Sequence, residues 1–296
     1  MGYGPDMKLA KPERHGFDPL RLARIDAFLK ERYLDSGKLP HAQFLLARDG
    51  EIVHFSHQGP AREGGAPVDE TSLFRIASMT KPVTSLAFMM LVEEGKVALD
   101  TPVHQLLPEF KGLGVYNGGG AGVAFATKPT AEPMRMVDLL RHTSGLTYSF
   151  QNRTNVDAAY REGKIESWHG NLTLDEFVAA LGKLPLEFSP GEAWNYSVST
   201  DVLGLVVERL AGVPLATFFE TRIFAPLGMH DTFFHVPADK LPRLTDCWSL
   251  VPGQGRVMYD RGEASFWAVK PRLTSGGGGL VSTALDYHRL NALFLN

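Results

Sequence analysis

Cysteine is nearly absent: Cys247 stands alone in a chain of 296 residues, which excludes an internal disulfide and a metal centre built on several thiolates. No run of Lys or Arg is long enough to track a phosphate backbone, and the formal net charge is only -3, so nucleic acid is not an expected partner. Long apolar runs are missing as well. The most apolar stretch, Leu86 to Val92, lies between Lys81 and Glu93 and is too short to cross a bilayer, so no membrane span is expected. The opening residues, M-G-Y-G-P-D-M-K-L-A-K-P-E-R-H, lack the apolar core of a secretory signal. A cytoplasmic location is the expectation, although a protein whose leader had been removed would read the same way.

Other absences narrow the chemistry. The glycine clusters Gly118 to Gly120 and Gly276 to Gly279 are not followed by the Lys-Ser/Thr pair of a phosphate-binding loop. No serine carries glycines at both positions of the Gly-x-Ser-x-Gly elbow, which disfavours an α/β-hydrolase. His54 and His57 sit three apart in a strand-like segment and so point to opposite faces, a poor start for a metal site.

What is present is a sequence 44% hydrophobic, enough to bury a large core. Asp18-Pro19 followed by Leu20, Leu22, Ile25, Phe28 and Leu29 reads as a capped amphipathic helix. Gln43 to Ala47, then Arg48-Asp49-Gly50, then Glu51 to Phe55 reads as a β-hairpin, because Asp-Gly supplies the positive φ a tight turn requires. From Phe74 to Arg272 helices dominate and no comparable strand alternation is visible. Ser78 to Glu94 predicts a helix stopped by Gly95, Ser199 to Leu210 a helix with Ser199 as N-cap, and Leu215 to Phe224 a third.

Chemistry enters at Phe74-Arg75-Ile76-Ala77-Ser78-Met79-Thr80-Lys81-Pro82. Residues three apart on a helix share a face, so Lys81 Nζ can reach Ser78 Oγ. Pro82 lacks an amide hydrogen and is tolerated only near a helix start, which pins Ser78 to the first turn, where the helix dipole favours developing negative charge. A serine hydroxyl needs a base to become nucleophilic. Lys81 serves if it is neutral, against a reference value of roughly 10.4 for an exposed lysine. Alternatively it stays charged and activates a third group, for which a tyrosine is suited; the sequence leaves both open. Serine and lysine three apart recur by chance in a chain of this length, where a helix cap followed by a solvated lysine is the commoner reason.

The surrounding words carry more. F-R-I-A-S-M-T-K, L-L-R-H-T-S-G-L at Leu139 to Leu146, P-G-E-A-W-N-Y-S at Pro190 to Ser197, I-F-A-P-L-G-M-H-D-T at Ile223 to Thr232 and G-G-G-G-L-V-S-T at Gly276 to Thr283 together resemble the class C β-lactamase-like serine hydrolases. The order and spacing agree over nearly the whole chain, and the resemblance is strongest to the esterase branch, the family VIII carboxylesterases. It implies an α+β fold of the β-lactamase and penicillin-binding-protein type, an antiparallel sheet flanked by helices plus a mostly helical domain. Residues 1–74 and 273–296 are expected in the sheet domain and 75–272 in the helical one.

By the same resemblance Ser78 is the nucleophile, Lys81 its lysine and Tyr196 the general base, with Tyr148, Phe150 and Val198 on the substrate side. His142 is expected to be a hydrogen-bonded structural residue. No metal or organic cofactor is implied. Two departures shape the expected activity. Where β-lactamases have Tyr-x-Asn, this chain has Tyr196-Ser197-Val198, which removes an amide that could hold a β-lactam side chain. Relatives also carry a third motif on a later strand, and no Lys-Thr-Gly or similar triplet follows Gly279, so the final strands of the sheet are expected to lie outside this sequence. The expected partner is a small-molecule ester of short chain, hydrolysed through an acyl-enzyme. A β-lactamase or D-amino-acid peptidase, an acyltransferase, and a non-catalytic binding protein of the same fold remain alternatives, and nothing in the sequence fixes the oligomeric state.

Overall fold

The computed structural model describes residues 9–166 and 172–295. They fall into two compact units, one of the segments up to Arg75, Phe224–Lys270 and from Val281, the other of Ile76–Ile223 and Pro271–Leu280.

In the first unit, helix α1 (Pro19–Leu29) starts where the Asp18 side chain accepts the Leu20 amide at 2.8 Å and Pro19 needs no donor of its own. Only Leu22 of its apolar stripe is buried; Leu20 remains 80% exposed. Strands β1 (Ala42–Arg48) and β2 (Glu51–Gln58) pair antiparallel across Asp49 and Gly50, whose φ values of 53° and 78° make the left-handed pair of a tight hairpin turn. A two-residue strand, β3 (Phe74–Arg75), ends this segment.

The second unit is mostly helical. Helix α2 (Thr80–Glu93) buries Val83, Ala87, Phe88 and Leu91, and Gly95 beyond its end adopts the left-handed conformation of a helix stop. Strands β4 (Val115–Gly120) and β5 (Val123–Lys128) form a hairpin absent from the sequence reading. Nearly all of β5 faces solvent and β4 carries bulges through its glycines, so the alternation that marks a half-buried strand never develops. Helices α3 (Met136–Arg141), α4 (Asn155–Glu162) and α5 (Leu174–Leu181) follow. Helix α6 (Ser199–Ala211) is buried along most of its length and packs on α2, α3, α5 and the short α7 (Leu215–Phe219). Its N-cap is Val198 rather than Ser199, whose hydroxyl is instead bonded to Ser144 and Ser197, each at 2.7 Å.

The chain then returns to the first unit with α8 (Ala225–Leu227), a hairpin of β6 (Cys247–Val251) and β7 (Gly255–Asp260), strand β8 (Val281–Ser282) and helix α9 (Ala284–Leu295). Residues 224–270 therefore differ from their expected place in the helical part. The reason lies in their hydrogen bonds: Leu73 donates to Arg243 O at 2.9 Å, Thr245 donates to Leu73 O at 3.0 Å, and Phe233 pairs with Val281. Strands β3 and β8 pair antiparallel in the same unit. Among the described residues no single helix is long and apolar enough to cross a membrane.

Candidate active site

Ser78 lies in a single tight turn, Ala77–Met79, that runs directly into α2. Ala77 is held at φ 44°, a left-handed conformation that costs a residue with a Cβ about 1–2 kcal/mol, so the backbone just before the serine is strained. What holds it is the segment 276–280. Leu280 donates to Thr80 Oγ1 at 3.1 Å, Thr84 donates to Gly276 O at 2.7 Å, and Ile76 donates to Leu280 O at 3.0 Å. Pro82 is the third residue of α2, where its missing amide hydrogen costs nothing.

Around Ser78 three groups converge, all within the helical unit. Its Oγ is 2.5 Å from the Tyr196 hydroxyl, and Lys81 Nζ donates to the same Oγ at 3.1 Å. Lys81 also donates to Gly277 O at 2.7 Å and to the Tyr148 hydroxyl at 3.2 Å, so each hydrogen of an ammonium has an acceptor. Nζ further lies 4.7 Å from the centre of the Tyr196 ring, within cation–π range. Burial, and then the charge of Asp201, push the Tyr148 phenol far above its usual range, so it remains a neutral hydroxyl.

Beneath this layer is Asp201, an acidic residue in the first turn of α6 that is 4% exposed. It accepts from Ser275 Oγ at 2.5 Å and from the Gly277 amide at 3.0 Å, and its charge bears on the Tyr148 phenol. Burial raises its pKa, while those hydrogen bonds and the nearby Lys81 charge oppose the rise. Asp201 thus fixes Gly277, whose carbonyl receives one hydrogen of Lys81. The loop bearing Tyr148 is held from its other side by Glu166, which accepts from the Ser149 amide at 2.5 Å and the Ser149 hydroxyl at 3.0 Å.

The residues expected from sequence separate into groups. Ser78, Lys81, Tyr196 and Tyr148 are brought together, with Tyr148 4% exposed behind Lys81. Phe150 is 62% exposed and stacks on Tyr148 with ring centres 4.8 Å apart. Val198 is corrected: at 1% exposure its side chain is packed into the start of α6 and presents no face to a substrate. Asp201, Glu166 and Trp194 were missed. Trp194 is 67% exposed and stacks near Tyr196 at 6.3 Å, and an indole so uncovered beside that tyrosine is a candidate contact for an apolar group. Among the described residues no three His, Cys, Asp or Glu side chains are clustered to hold a metal ion.

A family model described as Beta-lactamase matches residues 25–295. The chain belongs to the β-lactamase family. This agrees with the resemblance carried by the motifs, and the fold is that of β-lactamases and penicillin-binding proteins. Esterase EstB of Burkholderia gladioli is 39% identical over 215 residues, covering 72% of this chain and 51% of that protein. Protein Rv1367c of Mycobacterium tuberculosis is 39% identical over 262 residues, covering 88% of this chain and 63% of its own length. The chain therefore spans less than two thirds of the curated relatives it matches. Among solved structures, EstCE1, a hydrolase with promiscuous acyltransferase activity, superposes with a TM-score of 0.74 at 26% identity, covering 92% of this chain and 71% of that one.

Proposed function

We propose that this member of the β-lactamase family is a serine hydrolase acting as a carboxylesterase, with Ser78 as the acylated nucleophile. The observation that carries the reading is the 2.5 Å approach of Tyr196 to Ser78 Oγ, with Lys81 3.1 Å from the same oxygen. When Lys81 is an ammonium its hydrogens are committed to Ser78, Tyr148 and Gly277, which leaves the serine hydrogen to point at Tyr196. Tyr196, acting as its phenolate beside the Lys81 ammonium, then takes that proton as Oγ adds to the ester carbonyl, and gives it to the departing alkoxide so that the alcohol leaves and the phenolate is restored. In the second half Tyr196 takes a proton from water, the hydroxide adds to the acyl carbon, and Ser78 recovers its proton as the acid departs.

An ester is favoured over a β-lactam because Val198 stands where an amide would be needed and its apolar side chain is buried. Exposed Trp194 and Phe150 suit an apolar acyl or alcohol group. The similarity to an esterase at 39% identity supports the same reading, and the likeness to a hydrolase with promiscuous acyltransferase activity keeps transfer to an added alcohol as a second fate of the acyl-enzyme. The test is intact mass after treatment with a fluorophosphonate. Wild type is expected to gain one adduct and Ser78→Ala none; an adduct on both proteins, or on neither, overturns the assignment.

A further inference from the structure

His142 ends α3 in a left-handed conformation, φ 57° and ψ 37°, that turns its side chain and carbonyl toward the segment carrying Tyr196. The Asn195 amide donates to His142 O at 2.9 Å, and the Ser197 amide donates to His142 Nδ1 at 3.2 Å. The residues on both sides of Tyr196 are therefore anchored to one histidine. Tyr196 itself packs on the imidazole, with ring centres 4.9 Å apart and planes inclined by 50°. Behind this contact a chain of buried hydroxyls begins at Ser197 Oγ, 3.3 Å from Nδ1, and passes through Ser199 to Ser144 in steps of 2.7 Å.

We propose that His142 is a positioning residue for Tyr196: by accepting the Ser197 amide on Nδ1 it sets the placement of the phenol against Ser78. The proposal rests on the esterase reading above and extends it to a residue that touches neither substrate nor nucleophile. Accepting that hydrogen requires Nδ1 to be bare, hence a neutral ring with its hydrogen on Nε2. The neutral form is enforced by burial and then by the Lys81 charge, which together lower the imidazole to about 4. The titratable groups facing the ring are Lys81 from α2 and the Tyr196 phenol. Below that pH, protonated Nδ1 meets the Ser197 N–H donor to donor, and the anchor is lost.

The measurement is steady-state hydrolysis of p-nitrophenyl butyrate by the intact chain, by His142→Ala and by His142→Asn, with folding of each checked by circular dichroism. Asparagine places a carbonyl oxygen near the position of Nδ1, tolerates a left-handed backbone and does not titrate. Misplacement of a reacting group by about 1 Å costs on the order of a hundredfold. His142→Ala should therefore lose about a hundredfold in kcat with KM within about twofold, and His142→Asn should recover most of it. The wild-type kcat profile should show an acid limb near pH 4 that is gone in His142→Asn. Unchanged kcat in folded His142→Ala, or an acid limb that persists in His142→Asn, overturns the positioning role while leaving the esterase reading intact. Absence of a fluorophosphonate adduct on wild type overturns both.

Discussion

Glu166 shows at the scale of one residue how the site's surroundings are tuned. Its carboxyl is raised to about 7, chiefly by burial, with the Asp201 charge adding to the rise and the Ser149 hydrogen bonds and Arg161 opposing it. In the unfolded chain a glutamate releases its proton near a pH of roughly 4.3, so between there and about 7 the folded state holds a proton that the unfolded state has lost. The group's stabilising contribution is thus complete at acid pH and disappears as pH rises through 7. Glu166→Gln keeps an oxygen for the Ser149 amide, and its NH2 can donate to the Ser149 hydroxyl, which is free to rotate. The difference in melting midpoint between Glu166→Gln and wild type should therefore be small near pH 5 and grow in favour of the glutamine by pH 8. Taking the difference cancels other titrations, including that of His142, whose lowered pKa adds stability as pH rises from about 4. A difference independent of pH would show that Glu166 does not titrate in this range. Neither Glu166 nor its partner Ser149 announces itself in the sequence, since they are 17 positions apart and belong to no periodic pattern.

At the scale of one element, α6 links the core to the chemistry. Val202, Leu203, Leu205, Val206 and Val207 make it a buried helix, and Asp201 interrupts that stripe at its start. An acidic side chain at the start of an otherwise apolar helix face is a sequence signal, though its partners Ser275 and Gly277 lie more than 70 positions away and so belong to no local pattern. Its environment explains why it is tolerated: the Ser275 hydroxyl and the Gly277 amide satisfy one oxygen, and Lys81 lies within electrostatic range. Asp201→Ala leaves those donors without an acceptor in a closed core, which should cost about 2–4 kcal/mol in denaturant unfolding. Gly277 O should then no longer be held at 2.7 Å from Lys81, and kcat should fall in the protein that remains folded. Full activity in folded Asp201→Ala would mean that the 276–280 segment keeps Lys81 in place unaided.

Across the whole molecule, legibility follows sequence locality. Ser78 and Lys81 are one helical turn apart and the words around them are long, so both, together with Tyr196, could be singled out from sequence, and the structure brings the three side chains together. The hairpins β4–β5 and β6–β7 could not, because β5 and β7 are largely exposed and β4 and β6 are only partly buried, so no alternation of buried and exposed positions develops. The division of the chain was hidden for a related reason: it depends on pairings between residues some 170 to 190 positions apart, such as those of Arg75, which sequence periodicity does not report. Arg75 is the strongest of these ties within the first unit. Its Nε donates to Asp260 Oδ2 at 2.6 Å, Nη1 to Thr245 O at 2.5 Å and Nη2 to Ser265 Oγ at 3.1 Å, while the guanidinium lies 5.5 Å from the Trp267 ring centre. The side chains of Arg75 and Asp260 are only 4% and 2% exposed, so neither charge can be rescued by water if its partner is removed. Arg75→Ala should destabilise the unit by about 3–5 kcal/mol in urea titration, whereas replacing both partners, Arg75→Met with Asp260→Leu, should recover most of that loss. If the double variant is as unstable as the single, the cost lies in Thr245 O and Ser265 losing their donor, and the unit is held by the arginine's neutral contacts rather than by its ion pair.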